Sequence, residues 1–129
     1  MTLVECRGSE RDILDVRERL GDLLGPMGRR ADALAHYEGA RAGRASAEDC
    51  PAQARLLRKI GALRWEAGER DAAQACLDAA LDLLDGPEHV ERAHVCQEIG
   101  RMAFRSGDNE RAIEWAERAL AQAERATAA

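Results

Sequence analysis

The sequence predicts an all-α fold built as three helical hairpins that stack in a row. Three observations lead to this prediction: a composition rich in alanine and poor in strand formers, a glycine–alanine pattern repeated three times, and apolar residues at helical spacing. Aromatic residues make up only 3% of the 129 residues, whereas charged residues make up 33% and the hydrophobic set 46%. This balance is typical of a globular helical domain, and the length fits one domain, residues 1–129.

The repeated unit reads aliphatic-Gly-x6-Gly-x4-Ala-x6-Ala and recurs with a period of 40 and then 39 residues. Its glycine pairs are Gly21 and Gly28, Gly61 and Gly68, and Gly100 and Gly107. Its alanine pairs are Ala33 and Ala40, Ala73 and Ala80, and Ala112 and Ala119. A glycine inside a helix costs about 1 kcal/mol, so the first glycine of each pair predicts close contact with a neighbouring helix. The second glycine is suited to ending the first helix in the left-handed conformation.

The apolar spacing predicts six helices, at about 12–25, 30–44, 51–67, 70–85, 87–106 and 109–126. For example, Leu56, Ile60 and Leu63 recur at the spacing of one helix face. Pro51 and Pro87 follow loops and suit the first turn of a helix. The three repeats are therefore expected at about 12–45, 51–85 and 87–126.

This pattern resembles the tetratricopeptide repeat over residues 17–125. The resemblance depends on the pairs Leu20-Gly21, Ile60-Gly61 and Ile99-Gly100, followed by the turn glycine and the alanines. The sequence departs from the family where an aromatic often opens the first helix, because Arg17, Leu57 and Cys96 stand there. Its period is also longer than the usual ~34 residues. Similar long repeats occur in bacterial signalling proteins.

The resemblance implies a right-handed α–α superhelix in which the first helix of each hairpin lines the concave side. It also implies a non-catalytic module that binds a peptide or protein segment, and the expected setting is bacterial signalling or regulation. An alternative is a structural or oligomerisation segment of a larger multidomain enzyme or transcription regulator. The expected concave partner-binding residues are Arg55, Arg58, Lys59, Trp65, His94, Gln97, Arg101, Phe104 and Arg105.

The first repeat would make this groove acidic through Glu18 and Asp22, and the later repeats would make it basic. Trp65 and Phe104 lie at equivalent positions, and one interpretation makes them apolar anchors while the cations hold acidic side chains of the partner. The other interpretation packs both aromatics at the helix turn and leaves the arginines as a solvated face. The sequence favours neither strongly.

A second candidate surface is the last helix, where no further hairpin covers an apolar stripe. The stripe includes Ile113, Trp115, Ala116 and Leu120, and it suggests a possible homodimer through this helix, a missing downstream region or a bound partner. Alternatively, Trp115 lies across the preceding hairpin.

No constellation of residues points to catalysis, a cofactor or a metal site. The histidines lack ligand spacing, and Cys6, Cys50, Cys76 and Cys96 are irregularly spaced. Cys50 precedes Pro51 at a predicted helix start, and the expectation for it is an ordinary loop cysteine. The net charge of −5 argues against nucleic acid and against an anionic membrane as partners. Without an apolar leader or span, a cytoplasmic location is expected.

Overall fold

The computed structural model describes residues 9–85 and 89–128, and these residues form six helices joined by short turns. They are α1 (Glu10–Leu24), α2 (Arg30–Ser46), α3 (Cys50–Glu66), α4 (Arg70–Leu83), α5 (Val90–Arg105) and α6 (Asn109–Ala128). No strand occurs among these residues, so the all-α prediction is confirmed. The predicted helix bounds agree to within three residues, and the expectation for Pro87 lies outside the described residues.

The turn within each hairpin depends on its second glycine. Gly28, Gly68 and Gly107 have φ angles of +84°, +83° and +85°, the left-handed conformation that ends a helix without a Cβ clash. Side chains cap four of the described helix starts, with Ser9, Asp49, His89 and Asp108 as the capping residues. Ser9 and Asp12 form a capping box at α1, and Asp49 accepts a hydrogen bond from the backbone N–H of Ala52 at α3.

The first glycine of each pair lies where the two helices of a hairpin approach most closely. A Cβ on Gly61 would lie 3.3 Å from the carbonyl oxygen of Ala73, and a Cβ on Gly100 would lie 3.2 Å from that of Ala112. In the first hairpin, a Cβ on Gly21 would instead clash with the ring of Tyr37. The predicted reason for these glycines, close helix packing, is therefore confirmed.

Two hydrophobic cores connect the three hairpins into a row. The first core joins α2 to α3 and consists of Ala33, Tyr37, Ala40, Leu56, Ile60 and Leu63. The second core joins α3, α4 and α5 and consists of Ala54, Leu57, Ala73, Leu77, Ala80, Leu84, Val95, Ile99 and Met102. In both cores, the first helix of one hairpin packs against the second helix of the hairpin before it. This arrangement is a helical solenoid.

The described helices are amphipathic rather than uniformly apolar. None of those in residues 9–85 and 89–128 combines the length and the hydrophobicity needed to cross a bilayer.

Candidate functional site

Ion pairs join neighbouring hairpins through several of the side chains that the sequence predicted for the concave side. Glu18 accepts hydrogen bonds from Nε and a terminal nitrogen of Arg55, both at 2.7 Å, and from Nζ of Lys59 at 2.7 Å. Lys59 also donates to Asp22 at 3.0 Å. One hairpin further on, Nε of Arg58 donates to Glu91 at 2.7 Å. The acidic first repeat and the basic second repeat therefore neutralise each other across their junction.

The pKa of Glu18 reports how firmly this junction is held. Burial acts to raise the pKa of this carboxyl, but the hydrogen bonds from Arg55 and Lys59 outweigh burial and lower it from 4.5 to about 2. The hydrogen bond to Glu18 likewise raises the pKa of Arg55. These charges hold adjacent hairpins in register, so Arg55, Arg58 and Lys59 make internal contacts where the sequence suggested contacts to a partner. Their partner-binding role stays a prediction.

The two equivalent aromatics have different surroundings. Trp65 is half-buried against the second core, and the guanidinium of Arg70 lies 4.7 Å from the centroid of its ring. Phe104 is 67% exposed. The packed interpretation therefore describes Trp65, whereas Phe104 has the exposure that an anchor requires. The core against which Trp65 packs includes residues of α5 from the third hairpin, whereas no described hairpin follows Phe104.

An open groove of about 550 Å³ lies beside Phe104, between α5 and α6. It is lined by Gln97, Gly100, Arg101, Phe104, Asn109, Ala112, Ile113 and Ala116. A second hollow continues along the same hairpin and shares Gln97 and Ala116 with it. That hollow is lined by Val90, Ala93, His94, Gln97, Ala116, Ala119, Leu120 and Ala123. We call these two hollows together the end groove.

Three exposed polar side chains, His94, Gln97 and Arg101, line the end groove. Arg101 lies 3.9 Å from Glu98 on its own helix, and Arg105 is exposed at the end of α5 without lining the groove. Five of the nine predicted concave residues, the four named here and Phe104, thus lie on the third hairpin.

The apolar stripe predicted on the last helix is divided between two faces of α6. Ile113 is 60% exposed and Leu120 is 62% exposed, and both lie along the end groove with Ala116. Trp115 is half-buried against the second core, with the guanidinium of Arg118 at 4.4 Å from its ring centroid. Of the two alternatives for Trp115, the structure shows the one in which it lies across the preceding hairpin.

A second exposed apolar surface, which the sequence analysis did not single out, lies at the opposite end of the row. Exposed aliphatic side chains follow one face of α1 and the turn after it: Ile13, Val16, Leu20, Leu23 and Met27. The sequence analysis named Leu20 only as part of the repeated Leu20-Gly21 pair, and it assigned no exposed apolar face to this helix. Aligning the three repeats would have revealed the surface, because Val16, Leu20 and Leu23 have the same spacing as Leu56, Ile60 and Leu63.

The cysteines outside the end groove are unpaired thiols at residues 50, 76 and 96, whereas Cys6 lies outside the described residues. Burial raises the pKa of Cys76 and of Cys96, which disfavours the reactive thiolate. Within residues 9–85 and 89–128, no three His, Cys, Asp or Glu side chains are grouped so as to hold a metal ion.

Comparisons with known proteins agree with this architecture. A tetratricopeptide repeat model matches residues 12–85, and a second such model matches residues 93–125. Among solved structures, the crystal structure of MamA is similar with a TM-score of 0.50, covering 93% of this chain and 84% of that one. The two chains are 16% identical, so this likeness concerns the fold alone. No curated protein matches the sequence.

Proposed function

Because the chain belongs to the tetratricopeptide repeat family, we propose that it is a non-catalytic protein-interaction module that holds an apolar helix of another protein in its end groove. Protein interaction is the general role of this family. The observation that carries the choice of surface is the exposure of Phe104, Ile113 and Leu120 along one continuous groove. Large apolar side chains that stay exposed together are typical of a binding surface.

The chemistry of the bound segment follows from the equivalent surfaces inside the row. On the first and second hairpins, the matching surface is covered by the aliphatic face of α3 and of α5, respectively. The end groove keeps the two outer alanines of these surfaces, as Ala112 and Ala119, and has the smaller Ala116 where the inner hairpins have Tyr37 and Leu77. An amphipathic helix with an aliphatic face therefore fits it better than an extended polar peptide does.

The rim of the end groove adds a preference for acidic side chains on that helix. Arg101 has a 3.9 Å contact with Glu98 of its own helix and Arg105 is exposed at the end of α5, whereas Arg55 and Lys59 each donate a 2.7 Å hydrogen bond to Glu18. Exposed arginines beside an apolar groove favour carboxylates at the edge of the bound helix. An acidic partner segment is thus directed to the third hairpin.

The cellular setting that we propose is the cytoplasm of a bacterium, in signalling or regulation. The support for it is the period of 39–40 residues, which resembles the long repeats of bacterial signalling proteins. A second candidate, an assembly segment within a larger enzyme or transcription regulator, is favoured by exposed apolar faces at both ends of the row.

Capture from a bacterial extract, followed by titration of the purified captured protein, tests the proposal. We expect Phe104→Glu to weaken binding about tenfold or more, because it puts a charge into the apolar groove. Ala75→Glu, at an exposed position of α4, is the matched control and should bind as the wild type does. Equal binding by both variants, with unchanged helicity, would contradict the end groove as the site.

A further inference from the structure

The helix at the head of the row carries the side chains that inner hairpins use to join their neighbours. Each inner hairpin buries an aliphatic triad from its first helix: Leu56, Ile60 and Leu63 in the second, and Val95, Ile99 and Met102 in the third. One period earlier, the equivalent triad on α1 is Val16, Leu20 and Leu23. Val16 and Leu23 are 58% and 59% exposed, so this triad is presented without a covering surface.

The hairpin at the tail of the row carries the matching receptor. The inner triads pack on three small or apolar residues of the preceding second helix: Ala33, Tyr37 and Ala40, then Ala73, Leu77 and Ala80. One period later, α6 presents Ala112, Ala116 and Ala119, which lie along the end groove. Among the residues that the structure describes, the row therefore has a triad without a receptor in α1 and a receptor without a triad in α6.

We propose that α1 of a second copy of this chain occupies the end groove, so that copies join head to tail in the register of successive hairpins. This inference rests on the proposed function, because it names the apolar helix that the groove holds. The junction would continue the packing already present in the two cores. The exposed apolar side chains of both ends amount to roughly 1,000 Å², near the lower limit for a specific interface.

A head-to-tail junction uses two different surfaces, and this property distinguishes it from a symmetric dimer. Each copy that joins the row covers one end and leaves another exposed. The assembly is therefore open, and its mean length increases with protein concentration. A symmetric dimer through α6 would instead cover the end groove of both copies and stop at two.

The charges at the junction between two copies make it weaker than the junctions between hairpins of one chain. Inside the row, Lys59 bonds to both Glu18 and Asp22. In the same register, Arg19 of the incoming copy takes the position of Lys59. It then faces Gln97 and Arg101, which stand where Glu18 and Asp22 stand in the first repeat. Two arginines then meet where the internal junction has an ion pair, so we expect weak, concentration-dependent association.

Sedimentation equilibrium of three proteins, from micromolar to millimolar concentration, tests the proposal. For the wild type, we expect a weight-average mass that rises above that of a dimer. The head variant Leu23→Glu and the tail variant Ile113→Glu should each stay monomeric, because each places a carboxylate in the apolar contact. Mixed together, they should form a 1:1 pair and nothing larger, because each retains the end that the other has lost.

A variant that is expected to associate more strongly gives an independent test, because misfolding would not explain stronger association. Arg19→Glu replaces the repulsion with Arg101 by attraction. We therefore expect the association constant of the head-to-tail junction to rise about fivefold. Val16→Glu serves as a second head variant if Leu23→Glu lowers the helical circular dichroism signal.

Three results would overturn the head-to-tail junction. The first is a wild type that stays monomeric at millimolar concentration. The second is a dimer that the tail variant abolishes but the head variants do not. The third is an Arg19→Glu variant that associates no more strongly than the wild type. The second result would favour a symmetric dimer through α6. If the wild type is monomeric while Phe104→Glu still loses a captured protein, only the identity of the occupant fails, and the proposed function stands.

Discussion

Trp65 and Phe104 stand at the same position of successive repeats and have opposite surroundings. Trp65 is half-buried against the core that α3, α4 and α5 share, whereas Phe104 remains exposed at the last turn of α5. The same contrast holds between Leu77, which is fully buried, and Ala116, which is exposed beside the end groove. Equivalent residues thus pack in the core in the interior of the row, whereas at its end they are exposed and can contact a partner.

A position in this repeat therefore does not have a function by itself. The next hairpin decides whether a position is structural or exposed. Where that hairpin is present, its aliphatic triad covers the position. Four pairs of substitutions test whether the neighbouring hairpin decides the role of a position.

The largest contrast is expected between Leu77→Ala and Leu120→Ala. Leu77→Ala gives the second repeat the residue that the third repeat has at Ala116, and it leaves a cavity in the second core. We expect a loss of about 3 kcal/mol in the free energy of unfolding for Leu77→Ala. Leu120→Ala, on the exposed stripe, should change stability by less than about 0.5 kcal/mol. Urea unfolding followed by circular dichroism measures both, and equal losses would contradict the contrast.

The aromatic pair is the next test. Trp65→Ala removes packing against the second core and the contact with Arg70, so we expect it to cost about 2 kcal/mol of stability. Phe104→Ala should leave the unfolding free energy within about 0.5 kcal/mol of the wild type while weakening partner capture. A stability loss as large for Phe104→Ala as for Trp65→Ala would show that Phe104 also packs structurally.

The ion pairs of Glu18 test the junction between the first two hairpins. Because Arg55 and Lys59 are partly exposed, we expect Glu18→Gln to cost about 2 kcal/mol at neutral pH, less than the ~3–5 kcal/mol of a fully buried pair. The exposed pair of Glu114 and Arg118 supplies the control Glu114→Gln, expected to cost less than about 0.5 kcal/mol.

The pH dependence of this effect follows from the lowered pKa of Glu18. Folding holds the pKa near 2, below its ordinary 4.5, so the stabilisation is fully present above about pH 5. It is lost as the pH falls from about 5 towards 2, because the unfolded chain takes up the proton first. The stability difference between the wild type and Glu18→Gln should therefore shrink over this range in urea unfolding. A difference that is the same at pH 7 and pH 3 would contradict the ion pair.

The turn glycines should show the smallest effect and no contrast between interior and end. Gly68→Ala and Gly107→Ala each force a side chain into the left-handed conformation, at a cost of about 1 kcal/mol, although both sites are open to solvent. Ser106→Ala, next to Gly107 in the right-handed region, is the control and should cost less. Unequal costs for the two glycines would indicate that the neighbouring hairpin constrains the turn as well.

Sequence reasoning reached the fold because the constraints on it are local. The φ angles of Gly28, Gly68 and Gly107 and the close contacts at Gly61 and Gly100 follow from residue type and spacing alone. The partner site was only partly predictable. That Arg55 and Lys59 meet Glu18 depends on the angle between neighbouring hairpins, which no single repeat encodes. The contrast between Trp65 and Phe104 likewise depends on whether another hairpin follows.

The helix α3 contributes to both cores, through Leu56, Ile60 and Leu63 on one side and Ala54 and Leu57 on the other. Amide hydrogens of this central helix can exchange with solvent only when the contacts on both sides open together, whereas α1 and α6 are each held on one side. Exchange protection should therefore be greatest in the middle of the row and decline towards both ends. The exposed apolar face of α1 and the end groove beside α6 therefore lie on the helices that unfold locally most readily. A partner bound at either surface would also suppress this local unfolding.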